Sequence, residues 1–287
     1  MKSVVIYYFS GTGNTEIVAN KVSEELSNYE YNVTVIRIEE VLKNKLKIDL
    51  EKYDLVGIGC QVIGFGIPNI VRDFISFLPK VKYKKVFIFR TAGGVAPINY
   101  NASKPMIRKL SRKGYEVFYE RVFSISSNWI AKFDDKITKQ LYEATAKKVA
   151  IMCSDVIHGE KRILKTSIGL RVFMEGVMFI TPWMFSFIGK DLRVNEACSH
   201  CGLCIQNCPA KNIYEKSGKI KFRLSCNSCM RCVYSCPKSA ISFRLLSFFP
   251  VSGGYNIKKI LEQPSDTCKI KNKVPPFFYN YIEDDTL

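Results

Sequence analysis

The cysteines of this chain are unusually clustered. Eight of its eleven cysteines lie within 39 positions, from Cys198 to Cys236, as two copies of the pattern C-x-x-C-x-x-C-x-x-x-C-P offset by 28 residues. Disulfides that staple a small secreted fold are spread along the chain, whereas thiolates spaced this closely can surround an inorganic centre. The repeat therefore predicts a domain that is built around bound metal.

The spacing within each copy is that of the bacterial iron–sulfur run, in which three cysteines bind one cluster and the fourth binds the other. Two copies predict two 4Fe–4S clusters. The predicted ligands are Cys198, Cys201, Cys204 and Cys236 for the first cluster, and Cys226, Cys229, Cys232 and Cys208 for the second. Structural zinc is the alternative, but zinc sites generally use paired C-x-x-C knuckles.

The first 150 residues alternate between candidate strands and candidate helices. The candidate strands are Val4–Phe9, Val33–Ile38, Leu55–Gly59, Val86–Phe89 and Glu116–Phe123. The candidate helices are Thr15–Ser27, Pro68–Phe77 and Lys104–Lys113, followed by a long one from Asp134 to about His158. This alternation predicts the α/β class, with a doubly wound, five-stranded parallel sheet between helices. Cys60 and Cys153 fall on apolar positions and are expected to be buried and unreactive.

A polar, glycine-containing segment directly follows the first strand and opens the first helix. It reads Ser10, Gly11, Thr12, Gly13, Asn14 and Thr15. Hydroxyls and unpaired amides at a helix N-terminus can hold a phosphate without a lysine. The segment matches neither the dinucleotide fingerprint nor the Walker loop. It therefore predicts a phosphate-binding loop of another kind, the alternative being a simple helix-capping turn.

This segment resembles the flavodoxin phosphate loop, S/T-x-T-G-N-T, which binds flavin mononucleotide (FMN). The resemblance covers about residues 1–158 and implies more flavin contacts where the third and fourth strands end. The implied contacts are Gln61, Val62, Ile63, Gly64 and Phe65 after the third strand, and Thr91, Ala92, Gly93 and Gly94 after the fourth. Flavodoxin-like proteins commonly carry an aromatic residue near the position of Ile63. Either Phe65 replaces it, or the flavin face is open to a partner.

Residues 191–245 resemble the bacterial two-cluster ferredoxins, which implies a small α+β domain and one-electron transfer at low potential. An Asn-Trp pair, Asn128 and Trp129, follows the fifth strand. Such a pair recurs in flavodoxin-like domains fused to ferredoxins, and the whole chain resembles the EFR-type flavodoxin–ferredoxin fusion family. The expected division is an FMN domain over 1–158, an aromatic connector over 159–190, the ferredoxin domain over 191–245 and an irregular extension over 246–287.

The connector is the most apolar part of the chain. From Ile168 to Gly189 it is rich in aromatic residues, but Arg171, Glu175 and Pro182 interrupt it. These interruptions argue against a membrane span, so a buried connector is expected. The alternative is an interfacial helix with its aromatic face on lipid.

The chain is basic throughout. It has 43 Lys and Arg against 26 Asp and Glu, a formal net charge of +17, with 47% hydrophobic residues, which excludes a disordered chain. The excess is shared between the halves, +9 in residues 1–150 and +8 in residues 151–287. It predicts redox partners with acidic docking surfaces, the alternative being peripheral contact with a membrane surface. No nucleic-acid-binding motif accompanies it, so no nucleic-acid partner is expected. An N-terminus without signal-peptide anatomy predicts a cytoplasmic protein.

The combination of cofactors suggests a function. A flavin exchanges two electrons together or singly, whereas each cluster passes one. The sequence therefore predicts an intramolecular electron relay between the clusters and FMN that links one-electron and two-electron redox partners. The alternatives are a flavoenzyme that reduces a quinone, oxygen or free flavin, and a redox sensor. No catalytic residue is predicted, because no proton donor is evident in the motifs.

Overall fold

A parallel sheet forms the centre of the first domain in the computed structural model, which describes residues 1–130, 133–263 and 276–284. Its strands are β1 (Ser3–Tyr8), β2 (Asn32–Arg37), β3 (Leu55–Gln61), β4 (Lys84–Ala92) and β5 (Tyr115–Ser124). They run in the order β2-β1-β3-β4-β5, and every neighbouring pair is parallel. The predicted doubly wound, five-stranded sheet is confirmed.

Helices cover both faces of this sheet. They are α1 (Asn14–Asn28), α2 (Ile38–Asn44), α3 (Asn69–Phe77), the one-turn α4 (Pro97–Tyr100), α5 (Lys104–Ser111) and α6 (Asp135–His158). Side chains of α2, α3 and α5 fill the core on one face, and side chains of α1 and α6 fill the core on the other. The long helix begins where expected, since the Asp134 side chain accepts a hydrogen bond from the Lys136 amide at 3.0 Å.

The connector is a 24-residue helix, α7 (Ile168–Asp191), and only one of its faces is buried. Met174, Met178, Phe185 and Ile188 point into the protein, whereas Phe179 and Trp183 are 79% and 70% exposed. The expectation of a buried connector is therefore wrong for the outer face, because α7 packs on the protein along one side only. Among the described residues no single helix is long and apolar enough to cross a membrane. The two parts of α7 reach the length and hydropathy of a membrane span only when they are taken together, and they meet at a 42° bend near residue 182.

The second domain is small and mixes short strands with short helices. Strand β6 (Leu192–Val194) pairs antiparallel with β9 (Ile241–Phe243), and β7 (Ile213–Lys216) pairs antiparallel with β8 (Lys219–Phe222). The helices α8 (Leu203–Gln206) and α9 (Arg231–Tyr234) each lie within one cysteine run. This arrangement is the predicted α+β ferredoxin domain.

The C-terminal extension is more regular than expected. It contains α10 (Ile257–Glu262) and α11 (Pro276–Glu283), whereas the sequence predicted an irregular segment. Packing on α6 explains the difference for α11, because Phe278 and Tyr281 are buried there and the Tyr281 hydroxyl lies 2.9 Å from the Thr145 hydroxyl. Cys268 of this extension, which the sequence predicts to be a lone thiol, lies outside the described residues.

Candidate functional site

The predicted phosphate loop lies between β1 and α1. Gly13 occupies the N-cap position with φ = 101°, a left-handed backbone that favours glycine, and its amide donates to the Ser10 hydroxyl at 3.1 Å. No side chain caps α1, so the first amides of this 15-residue helix face the loop. Thr15 is buried, with its hydroxyl 2.8 Å from that of Thr91. The loop has the amide and hydroxyl donors that a phosphate requires.

A cavity joins this loop to the other two predicted loops. Of the predicted flavin contacts it is lined by Ser10, Gly11, Thr12, Asn14, Thr15, Gln61, Val62, Ile63, Gly64, Thr91, Ala92 and Gly93. Gly13, Phe65 and Gly94 are not among its lining residues. Six further residues complete the wall, namely Ser126, Ser127, Asn128, Trp129, Ser228 and Cys229. The last two come from the ferredoxin domain, which the sequence did not associate with this site.

The cavity fits a flat, polar ring system such as that of FMN. Gln61 places a buried Oε1 atom there that has no hydrogen-bond partner among the described residues, so it can accept from a ligand. The Ile63 and Gly66 amides and carbonyls pair with each other, at 2.9 and 3.0 Å, which holds the intervening loop in a tight turn.

Trp129 is the aromatic residue of this cavity. Phe65, which the sequence offered as a possible aromatic contact for the flavin, is 39% exposed and lies outside the lining. The Trp129 ring packs at 4.9 Å from Phe249 and at 5.8 Å, edge to face, from Phe185. The neighbouring Asn128 amide donates to the Thr12 hydroxyl at 2.7 Å. The Asn-Trp motif was visible in the sequence, but its position at the cavity depends on the tertiary structure.

A buried polar network supports the loop that follows β4. The guanidinium of Arg90, next to Thr91, donates to the Glu120 carboxylate at 3.2 Å and to the Asn99 carbonyl at 2.6 Å. The side-chain amide of Asn99 in turn donates to the Gly94 carbonyl at 2.8 Å. Glu120 is completely buried and also accepts from the Lys104 ammonium and from the Leu164 amide, at 3.0 and 2.8 Å. The network fixes the end of β4 and ties the connector to the sheet.

The cysteines separate into the two predicted sets. One cavity is lined by Cys208, Cys226, Cys229 and Cys232, and a second is lined by Cys198, Cys201, Cys204 and Cys236. Each set therefore combines three cysteines of one run with the fourth cysteine of the other. Among the described residues no three His, Cys, Asp or Glu side chains are arranged to hold a single metal ion. Cysteines that bind different irons of one cluster stand further apart than ligands of one ion.

The two cysteine runs have matching backbones. Residues 28 apart share a left-handed conformation, with φ values of 51° and 49° at His200 and Ser228, and of 73° and 62° at Gly202 and Met230. Sulfur atoms also accept from equivalent amides, Cys208 from Asn212 at 3.2 Å and Cys236 from Ala240 at 3.3 Å. Amides directed at thiolate sulfurs stabilise the reduced, more negative state of an iron–sulfur centre. Both sets thus fit a cluster.

The second cysteine run lies directly against the phosphate loop. A Cβ atom added to Gly11 would be 2.3 Å from the Cys229 carbonyl oxygen, so only glycine allows this approach. The Arg231 guanidinium donates to the Ser10 and Gly11 carbonyls, at 2.6 and 3.3 Å. The Asn227 side chain accepts from the Ile70 amide at 3.1 Å. The first cysteine run has no such contact in the hydrogen bonds of the described residues.

The connector helix α7 also packs on both the flavin cavity and the second cysteine run. Phe185 packs on Gly64, where an added Cβ would lie 2.2 Å from its ring, and its carbonyl accepts from the Ser228 hydroxyl at 3.2 Å. Gly189 lies against Cys226, since an added Cβ would be 2.3 Å from the Cys226 Cβ. Helix α7 therefore contacts both the loop after β3, which lines the flavin cavity, and a predicted cluster ligand.

The cysteines outside the repeat that the structure describes are buried, as predicted. Burial raises the pKa of the Cys60 thiol to about 12, and it raises the pKa of the Cys153 thiol as well. Both are therefore protonated, inert core residues at neutral pH.

Family models match two separate parts of the chain. The family model for flavodoxin matches residues 6–152, and the model for the 4Fe-4S dicluster domain matches residues 197–241. The chain is 32% identical over 123 residues to an uncharacterized protein of Methanocaldococcus jannaschii, covering 42% of this chain and 73% of that one. It is 33% identical over 93 residues to a flavodoxin of Megasphaera elsdenii, covering 31% of this chain and 65% of that one.

Solved flavodoxin structures are also similar. Oxidised flavodoxin 1 from Bacillus cereus is 19% identical, with a TM-score of 0.41 over 55% of this chain and 98% of that one. Two-electron reduced Megasphaera elsdenii flavodoxin is 28% identical, with a TM-score of 0.35 over 42% of this chain and 85% of that one. With the flavodoxin model matching half of its length, the chain belongs to the flavodoxin family, and it is an electron-transfer redox protein in which a 4Fe–4S dicluster domain follows the flavodoxin domain.

Proposed function

We propose that the protein relays electrons between two 4Fe–4S clusters and FMN, in a fixed order. The ligand set of Cys208, Cys226, Cys229 and Cys232 would hold the cluster next to the flavin, which we call the proximal cluster. The set of Cys198, Cys201, Cys204 and Cys236 would hold the distal cluster. The observation that carries this order is that Ser228 and Cys229 line the same cavity as the flavin-site loops.

Close approach favours electron transfer between the two sites. The contact between Gly11 and Cys229 brings the phosphate loop to the backbone of a proximal ligand. Arg231 stands between the ligands Cys229 and Cys232 and donates to carbonyls of the phosphate loop, so it holds the distance constant. When bound, the clusters exchange single electrons and the flavin exchanges one or two, which would link one-electron to two-electron partners.

The distal set is the expected entry point for a protein partner. Cys201 is exposed and the His200 side chain beside it is 51% exposed, whereas Cys229 of the proximal set is buried. From Lys190 to Arg244 the chain has ten basic and three acidic residues. A partner with an acidic docking surface would therefore be attracted to this domain, faster at low ionic strength.

The flavin cavity gives less support to a flavoenzyme with its own small substrate. Its lining residues within the described chain include no Asp, Glu, His, Lys or Arg, so they offer no charged group for acid–base catalysis. Transfer of electrons through the cofactors needs no such group.

Rapid anaerobic mixing of the cofactor-loaded protein with a limiting one-electron reductant tests the relay. We expect absorption of the clusters to bleach first and then recover as the flavin is reduced. Protein stripped of FMN is the control, in which the clusters should stay reduced. Clusters that remain reduced while FMN stays oxidised would refute the relay.

The order of the centres has its own test. In Cys201→Ser the distal centre is impaired, and transfer from the proximal cluster to flavin should keep its rate. In Cys232→Ser the proximal centre is impaired, and reduction of the flavin through the clusters should stop. If both variants keep FMN and the unaltered cluster, an equal loss in the rate of flavin reduction would refute the proposed order.

A further inference from the structure

The outer face of α7 is apolar along almost its whole length. Its exposed large residues are Ile168, Val172, Phe173, Phe179, Ile180, Trp183, Met184 and Phe187. Gly169 and Gly176 lie on the same face. At 100° per residue these positions form one continuous stripe, and no charged residue interrupts it before Lys190. Monomeric soluble proteins rarely expose so large an apolar surface unless it binds something.

The helix cannot rotate to hide this stripe. Its opposite face is already packed, with Met174 and Met178 buried and Phe185 held against Gly64. At the edge of the stripe, the Glu175 carboxylate accepts hydrogen bonds from Arg108 at 2.7 Å and from Arg171 at 3.2 Å. The stripe is therefore fixed on the surface by the packing that joins α7 to the rest of the molecule.

Both ends of the stripe are basic. Lys161 and Lys165 precede the helix, and Lys190, Arg193 and Arg244 lie at or after its end, and all five are exposed. The acidic Asp191 is engaged by the Leu245 and Leu246 amides, at 2.9 and 2.8 Å. Leu245 and Phe248 add two exposed apolar side chains beside the C-terminal end. An apolar stripe between two basic ends complements a lipid surface with anionic headgroups.

We propose that α7 binds peripherally to an anionic membrane, with its aromatic stripe in the interface and its basic ends on headgroup phosphates. Trp183, which is 70% exposed on this stripe, is a residue type that favours the membrane interface. This proposal goes beyond the electron relay, which does not require a membrane. Membrane binding by α7 would hold the loop after β3, through the contact of Phe185 with Gly64, on the membrane-facing side of the molecule.

Charge argues against a second copy of the chain as the occupant. In a two-fold pair the two stripes would meet either parallel or antiparallel. Either way a basic end of one helix would meet a basic end of the other, because both ends carry lysines or arginines. Such like-charge contacts disfavour self-association.

Co-sedimentation of the cofactor-loaded protein with vesicles tests the proposal. We expect binding to phosphatidylcholine vesicles that contain phosphatidylglycerol, weaker binding to phosphatidylcholine alone, and release as salt is raised. Phe179→Glu and Trp183→Glu should each weaken binding about tenfold or more. Lys165→Gln should weaken it about fivefold on anionic vesicles only.

Leu46→Glu is the matched control, because it adds the same charge at an exposed apolar residue just after α2. It should bind vesicles like the unmodified protein. The visible spectrum of FMN and clusters checks that each variant is folded, and Phe179→Ser replaces Phe179→Glu if that variant loses cofactors. As a measurement on the unmodified chain, brominated lipid should quench tryptophan fluorescence, and Trp183→Phe should remove that quenching.

Two results would overturn the proposal. One is vesicle binding that the stripe variants do not change. The other is absence of binding to the anionic vesicles. A dimer seen by analytical ultracentrifugation that Phe179→Glu dissociates would then identify a second copy as the occupant. Neither result would affect the relay, which is measured without vesicles.

Discussion

The Arg231 guanidinium lies 2.6 Å from the Glu39 carboxylate, in an ion pair that joins the second cysteine run to the flavodoxin domain. The same guanidinium donates to carbonyls of the phosphate loop and to the Asn207 carbonyl. One side chain thus contacts both halves of the ferredoxin repeat and the flavin site. It therefore connects the predicted cofactor sites.

Replacing Arg231 with glutamine should weaken this link. Both side chains of the ion pair are largely buried, so we expect a coupling energy of about 1.5–3 kcal/mol between Arg231 and Glu39. It can be measured as the non-additivity of Arg231→Gln and Glu39→Gln in unfolding of the cofactor-loaded protein. Lys21→Gln, which breaks a more exposed pair with Glu24, is the control and should cost little. Strictly additive effects would contradict the link.

Gly11→Ala should separate the phosphate loop from the proximal cysteine loop. The new Cβ would lie 2.3 Å from the Cys229 carbonyl oxygen, which is backbone and cannot turn aside. We expect faster FMN dissociation and slower reduction of flavin by the clusters, measured by fluorescence of released FMN and by stopped flow. Gly176→Ala is the control, since its Cβ meets nothing within 4 Å, and it should leave both rates unchanged.

Glu120→Gln should be strongly destabilising. The neutral amide would leave the buried Arg90 charge without its carboxylate, a loss of about 3–5 kcal/mol for a buried ion pair. Thermal unfolding of the variant would show this, together with weaker FMN binding through the loop that follows β4. Glu116→Gln on the same strand is the control, because Glu116 is paired at the surface and its loss should change stability little. Equal effects of the two substitutions would argue against the buried network.

Cys60 and Cys153 should resist alkylation in the folded protein. A thiol whose pKa is raised to about 12 is ionised in roughly one molecule in ten thousand at pH 8. The fraction grows as pH rises toward that pKa, so labelling should increase with pH even before unfolding. Mass spectrometry after iodoacetamide treatment, with and without denaturant, measures it. Labelling of either thiol at the same rate in both samples would contradict their burial.

Local patterns in the sequence were sufficient for several features. The cysteine spacing predicted the two groups of four cysteines that line separate cavities, because a tight loop brings three cysteines together and the fourth of this pattern joins the other group. The strands and helices of the first domain followed from apolar periodicity, with α2 and α4 missed since each is short. The candidate phosphate loop was recognisable because its amides, hydroxyls and glycines lie within six consecutive residues.

Features that depend on distant residues required the tertiary structure. Trp129 and Cys229 are 100 positions apart, and nothing in either segment indicates that they line one cavity. The sequence also predicted a buried connector where the structure has α7 with an exposed outer face, because apolar composition does not reveal which face of a helix is packed against the protein. The sequence by itself predicted which cofactors its segments hold. Only the tertiary packing of Gly11 on Cys229, and of α7 along one side, decided which cysteine set lies beside the predicted flavin cavity and which surface stays exposed.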